Sequence, residues 1–250
     1  IKKLRDEADI IITNPPFSLF REFLAWIVEA DKQFVIIGNM NAITYKEVFP
    51  LIKNDMMWLG NGFHAGNAYF STPTVKEYAE GVFNSETGLV KFRNCCWFTN
   101  LDHGRRHQPL PLMTMHDNIK YSKHKELKGK EYQKYDNYDA IEVPFTDAIP
   151  SDYHGVMGVP ISFLDKYCPE QFEILGITKT WFGMASKIYP EQIQVRKTGE
   201  KTLVTKLNDG ATILIESSDV NGTSYIVGNN HYKQVYARVL VRNKHLNKVD

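Results

Sequence analysis

Residues 8–27, ADIIITNPPFSLFREFLAWI, decide the fold class. Residues 8–13 form a short apolar run, the pattern of a strand covered on both faces in a parallel sheet. Asn14-Pro15-Pro16 ends it, because prolines lack a backbone donor and hold φ near −65°. Leu19, Phe20, Phe23, Leu24 and Ile27 then share one helical face, with Ser18 placed to cap the first turn. Working outward, residues 34–37 predict a second buried strand and residues 45–53 a second helix. Residues 56–59 predict a third strand, and residues 90–99 a fourth, longer one. Strands alternating with helices in this way predict an open α/β sheet. After residue 100 the pattern changes to a mixed α+β region, with strands expected at 211–215 and 236–241.

The chain has 250 residues, 43% of them hydrophobic and 24% charged, which excludes disordered and collagen-like classes. Its three cysteines cannot form a disulfide framework, and Cys95 and Cys96 are adjacent, so a reducing, cytoplasmic setting is expected. No apolar stretch approaches the ~20 residues of a membrane-spanning helix. The first residue is Ile rather than Met, which suggests a start inside a longer protein. The net charge of +1 hides an uneven distribution. Residues 101–130 are strongly basic, 131–175 strongly acidic and 176–250 basic again, so basic stretches are available to a polyanion or simply solvated.

The chemistry is expected at Asn14, Pro15, Pro16 and Phe17, because ligands of open α/β sheets bind beyond the carboxyl ends of the strands. Asn14, which precedes a proline, is pushed towards extended geometry. The stiff loop presents an amide, bare carbonyls and an aromatic ring. A planar amine can donate its two hydrogens to the Asn14 side-chain oxygen and the Pro15 carbonyl, while Phe17 stacks on the ring that carries it. The same residues also make a plain strand-ending turn. The apolar strand before them and the amphipathic helix after them favour the functional reading.

Asn-Pro-Pro-Phe after a hydrophobic strand resembles the catalytic motif of S-adenosylmethionine-dependent amino methyltransferases. Four longer blocks resemble the EcoRI-type adenine-specific modification methylases. They are FVIIGNMNAITYKEVFPLIKNDMMWLG (34–60), WFTNLDH (97–103), YDNYDAIEV (135–143) and GVMGVPISFLDKYCPEQFEILG (155–176). The resemblance implies part of a Rossmann-like methyltransferase sheet in residues 1–100, followed by an α+β target-recognition region in residues 101–250. It implies adenine-N6 methylation of double-stranded DNA, with S-adenosylmethionine as cofactor, in a restriction–modification system. The target base would be flipped out of the duplex, its amine held by Asn14 and Pro15 and its ring stacked on Phe17. Phe63 is the candidate for a second aromatic closing the other side, with Tyr69 and Phe70 as rivals. Only thirteen residues precede Asn14, so the cofactor-binding strands are expected upstream of Ile1. The strand at 8–13 would then lie at an exposed sheet edge. The alternatives are a non-catalytic DNA-binding fragment, or an amino methyltransferase acting on RNA or on protein glutamine.

Other motifs read more weakly. Gly60, Gly62 and Gly66 have the wrong spacing for a nucleotide-binding turn. His103 and His107 have metal-ligand spacing, but Gly104 weakens the helix, and Arg105 and Arg106 between them make a phosphate-contacting basic loop the better reading. No metal site is expected. Lys120, Lys123, Lys125, Lys128 and Lys130 read as a linker that orders on DNA or as solvated charge. Cys95 and Cys96 read as buried structural thiols.

Overall fold

The structure is a computed structural model describing residues 1–61, 67–73, 77–216 and 222–244. Two compact units divide the chain, Ile1–Arg105 and Arg106–Asp250.

In the first unit, helix α1 (Lys2–Glu7) leads into strand β1 (Ile10–Thr13), and helix α2 (Phe20–Glu29) carries the chain to β2 (Gln33–Asn39), parallel to β1. Helix α3 (Phe49–Lys53) precedes the short β3 (Trp58–Leu59). Strands β4 (Ala68–Phe70), β5 (Phe83–Asn84) and β6 (Leu89–Phe92) form a small separate sheet. Strand β7 (Cys95–Thr99) then inserts between β2 and β3, antiparallel to both, giving the order β1-β2-β7-β3.

Several details differ from the sequence expectations, each for a physical reason. Ser18 lies inside a 3₁₀ turn, Phe17–Leu19, and α2 begins at Phe20 without a side-chain cap. The apolar run of β1 is not covered on both faces: at the sheet edge, Ile12 is 72% exposed. The helix expected at 45–53 is confined to its second half, with a 3₁₀ segment at Met40–Thr44 before it. The single strand expected at 90–99 is two strands in two sheets. The chain turns between them at Asn94, whose φ of 59° lies in the left-handed region that asparagine tolerates better than most residues.

Close packing fixes α2, and with it the loop that precedes it. Phe20, Leu24 and Ile27 are buried, and the Phe20 and Phe98 rings lie 5.0 Å apart. Gly38 makes this approach possible, since a Cβ there would stand 2.5 Å from Phe20 Cε2 and 2.8 Å from Phe98 Cε2.

The second unit opens with helix α4 (Met115–Tyr121). Strands β8 (Ile141–Glu142), β9 (Met157–Pro160) and β10 (Phe172–Ile177) belong to a four-stranded mixed sheet. Strands β11 (Gln192–Val195), β12 (Lys201–Val204), β13 (Thr212–Ile215), β14 (Ser224–Val227) and β15 (Asn230–Gln234) build an antiparallel sheet in the order β12-β11-β14-β15-β13. The last strand, β16 (Arg238–Asn243), returns between β10 and β9. Residues 135–143 tie the unit together. Tyr135, Tyr138 and Ala140 pack against Ala211, Ile213 and Leu240. The fully buried Asn137 donates to the Gly210 carbonyl (2.9 Å) and accepts from the Thr212 amide (2.9 Å) and hydroxyl (3.1 Å). Arg238 Nη2 and Nε grip the Glu142 carboxylate at 2.5 and 3.1 Å, and the Tyr135 hydroxyl donates to the same group.

Candidate active site

Asn14, Pro15, Pro16 and Phe17 follow β1 directly and line a cavity of about 560 Å³ within the first unit. Pro15 is buried and anchors the loop, whereas Asn14 is exposed and Phe17 is 40% exposed. The Pro16 carbonyl accepts from the Leu19 amide (2.9 Å), which fixes the turn into α2. Among the described residues, neither the Asn14 amide nor the Pro15 carbonyl has a hydrogen-bond partner. Two acceptors on consecutive residues of a rigid loop are thus available to a ligand.

The rest of the lining is apolar and aromatic. Ile37 comes from β2, Cys95 from the start of β7, and Phe70 and Phe92 from the small sheet, with Thr72 just beyond β4. The Phe70 and Phe92 rings meet edge to face, 5.4 Å apart at 86°. Burial pushes the Cys95 thiol above its ordinary pKa, so it is a protonated wall residue rather than a nucleophile. This lining suits a flat ring bearing an amine. Among the described residues the lining contains no carboxylate and no cationic side chain. These residues therefore do not fit the ribose or the charged amino-acid end of S-adenosylmethionine.

Phe63 lies outside the described residues. Phe70, one of its rivals, lines the cavity; Tyr69 does not, and its ring lies under Lys91 Nζ instead (5.9 Å). Phe92, Ile37 and Cys95 are wall residues that the sequence reading missed. The signal for Phe92 was register: β4 and β6 pair Ala68 with Phe92 and Phe70 with Val90, which puts Phe70 and Phe92 on one face. A strand drawn unbroken through residue 99 hides this.

The two arginines of the basic loop, expected as phosphate contacts, lie in different surroundings. Arg106 is only 8% exposed. Arg105 is half-buried and donates from Nη1 to Asn61 Oδ1 at 2.9 Å. The two histidines have separate partners: His103 Nε2 lies 2.9 Å from the Leu59 carbonyl, and His107 Nδ1 lies 2.7 Å from Glu170 Oε1. Among the described residues no cluster of three or more His, Cys, Asp or Glu side chains could hold a metal ion. No described helix is long and apolar enough to cross a membrane.

The sequence matches the family model described as adenine-specific methyltransferase EcoRI over residues 1–244. The chain belongs to this family. It is 48% identical over 179 residues to the Type II methyltransferase M.EcoRI of Escherichia coli, an alignment covering 70% of this chain and 52% of the relative. It is 35% identical over 176 residues to M.MpnI of Mycoplasma pneumoniae (69% and 52% covered). M.MgeORF184P of Mycoplasma genitalium is 35% identical over 178 residues (68% and 52%). The chain thus spans about half the length of the curated relatives it matches. No solved structure matches.

Proposed function

We propose that this chain is the amine-binding and target-recognition part of a site-specific DNA adenine-N6 methyltransferase of a restriction–modification system. The observation that carries this reading is the pair of unused acceptors, Asn14 Oδ1 and the Pro15 carbonyl, at the mouth of an aromatic cavity. An exocyclic amine donating both hydrogens to them has its nitrogen lone pair directed out of the base plane. Both acceptors also stabilise the positive charge that builds on nitrogen as the new bond forms. Phe17 supports one face of the flipped base, and Phe70 and Phe92 form the wall beyond it. S-adenosylmethionine is the methyl donor that the family chemistry calls for, and its binding residues are read as lying outside this chain.

The four-stranded sheet of the first unit is read as part of a Rossmann-like sheet, supported by the parallel β1–β2 pair joined through α2. Residues 1–100 are read as the catalytic core and residues 101–250 as the target-recognition region.

The test is transfer of labelled methyl from S-adenosylmethionine to unmethylated duplex DNA by the full-length protein. Asn14→Ala should lower the rate by at least about 10²–10³-fold, the usual effect of losing one preorganised polar partner, while DNA affinity stays within twofold. Undiminished transfer by this variant would overturn the reading.

A further inference from the structure

The lysine-rich stretch after α4 is not a linker but a folded platform. Asn118, almost fully buried, reaches the Met113 and Ala148 carbonyls (both 3.4 Å), and the Tyr132 hydroxyl donates to the Ala148 carbonyl at 2.6 Å. The His124 ring stacks on Phe145 with 3.6 Å between centroids and bonds Asp147 at 2.8 Å. Leu127 is buried, and the Gly129 amide donates to the Ile119 carbonyl (2.9 Å), folding the chain back onto the end of α4. At the far end, the Glu142 amide donates to the Gln133 carbonyl (2.7 Å), and Lys134 bridges to Ile141.

This scaffold leaves lysines on its outside. Lys120, Lys125, Lys128, Lys130 and Lys134 are all exposed. The Gly129–Ile119 bond brings the backbone of residues 128–130 next to that of residues 119–120. Lys123 is partly neutralised by Asp147 at 2.7 Å, but no described carboxylate lies within ion-pairing distance of the other five. Like charges gathered on a fixed scaffold repel one another and gain from a polyanion that displaces their separate counterions. An ammonium is a point charge on a flexible stem, well suited to phosphate oxygens.

We infer that residues 120–134 form a preformed docking surface for the phosphate backbone of duplex DNA, holding the duplex without reading its sequence. This rests on the DNA reading proposed above and adds where the backbone is gripped. It predicts a salt signature, because each phosphate neutralised contributes about −0.9 to the slope of log affinity against log salt.

The experiment measures binding of a duplex oligonucleotide by the full-length protein between 50 and 300 mM salt. It compares wild type with a variant in which Lys120, Lys125, Lys128, Lys130 and Lys134 are all changed to Gln, and another in which all five become Arg. If at least four engage, the Gln variant should flatten the slope by roughly 3.5–4.5. It should also weaken cognate and unrelated duplexes by equal factors and keep the wild-type Tm. The Arg variant should keep the wild-type slope. A Gln slope within about 0.5 of wild type, or a loss confined to the cognate duplex, would overturn the inference and leave the catalytic reading intact. A wild-type protein that binds no duplex would overturn both.

Discussion

Asn14 and Asn137 both lie in stretches through which the sequence resembles its family, and their surroundings are opposite. Asn14 follows strand β1, is exposed at the cavity and has no side-chain partner among the described residues. Asn137 is wholly buried, with its amide donating to Gly210 and its oxygen accepting twice from Thr212. One amide is held ready for something outside the chain; the other is spent inside it. Resemblance alone does not separate the two cases. Hydrogen-bond satisfaction does, because a buried polar group must be paired inside the fold whereas a ligand-binding one must be left open.

The sharpest way to break this comparison is to remove each amide in turn and measure stability. Asn137→Ala orphans the Gly210 carbonyl and the Thr212 amide in the interior. At about 1–3 kcal/mol for each buried group left unsatisfied, unfolding free energy should fall by roughly 2–6 kcal/mol, read from urea denaturation. Asn14→Ala should change it by no more than about 0.5 kcal/mol, as for a surface substitution, despite its large effect on methyl transfer. Equal losses in the two variants would show that Asn14 is scaffold after all.

Gly38 tests whether the site depends on the packing behind it. Gly38→Ala forces a methyl group into the Phe20 and Phe98 rings, which have no flexible end to swing aside. The expected cost is about 1–3 kcal/mol of stability, together with reduced methyl transfer, because displacing Phe20 moves the loop that carries Asn14. Unchanged denaturation and activity would show that α2 is free to shift without cost. The cavity wall gives a smaller effect, confined to function. Phe92→Ala should lower kcat/KM by about 5- to 150-fold, in line with the 1–3 kcal/mol of a base-stacking contact, with only a slight change in Tm since Phe92 is 49% exposed. An unaltered kcat/KM would remove it from the base-binding wall.

Local chemistry is what the sequence makes legible. Four consecutive residues after an apolar strand announce the candidate site, because its two acceptors and one ring are neighbours in the chain. The succession β1, α2, β2 is legible for the same reason. What is hidden depends on direction and distance. Periodicity cannot tell that β7 runs antiparallel between β2 and β3, nor that one turn at Asn94 splits an apolar run between two sheets. The far wall of the cavity follows from that split, so Phe92 and Cys95 are hidden with it. Arginines adjacent in sequence likewise look equivalent, although Arg106 is buried and Arg105 is not. Lysine content cannot by itself distinguish a linker from a platform whose anchors, Asn118, Tyr132 and His124, are scattered among the lysines.

The smallest effect concerns pH and lies beside Asn137, at Asp136. Burial alone would raise this carboxyl, but hydrogen bonds from Lys187 Nζ (2.6 Å) and the Tyr189 hydroxyl (2.6 Å) outweigh it and hold the pKa below its ordinary value. A group with a depressed folded pKa binds fewer protons when folded than when unfolded, so stability rises with pH across the interval between the two values. The contribution is complete above the ordinary carboxylate range, near ~3.9, and is lost as pH falls through the lower folded value. Asp136→Asn should therefore flatten part of the acid limb of stability against pH, measured by urea midpoints between pH 2.5 and 6, and leave that dependence unchanged near neutrality. Asn14→Ala, which removes no titrating group and no internal bond, should leave the whole limb as it is. An acid limb identical in wild type and Asp136→Asn would mean that the carboxylate is as well solvated as an unfolded one, and that the hydrogen-bond network of Asn137 does not extend to Asp136.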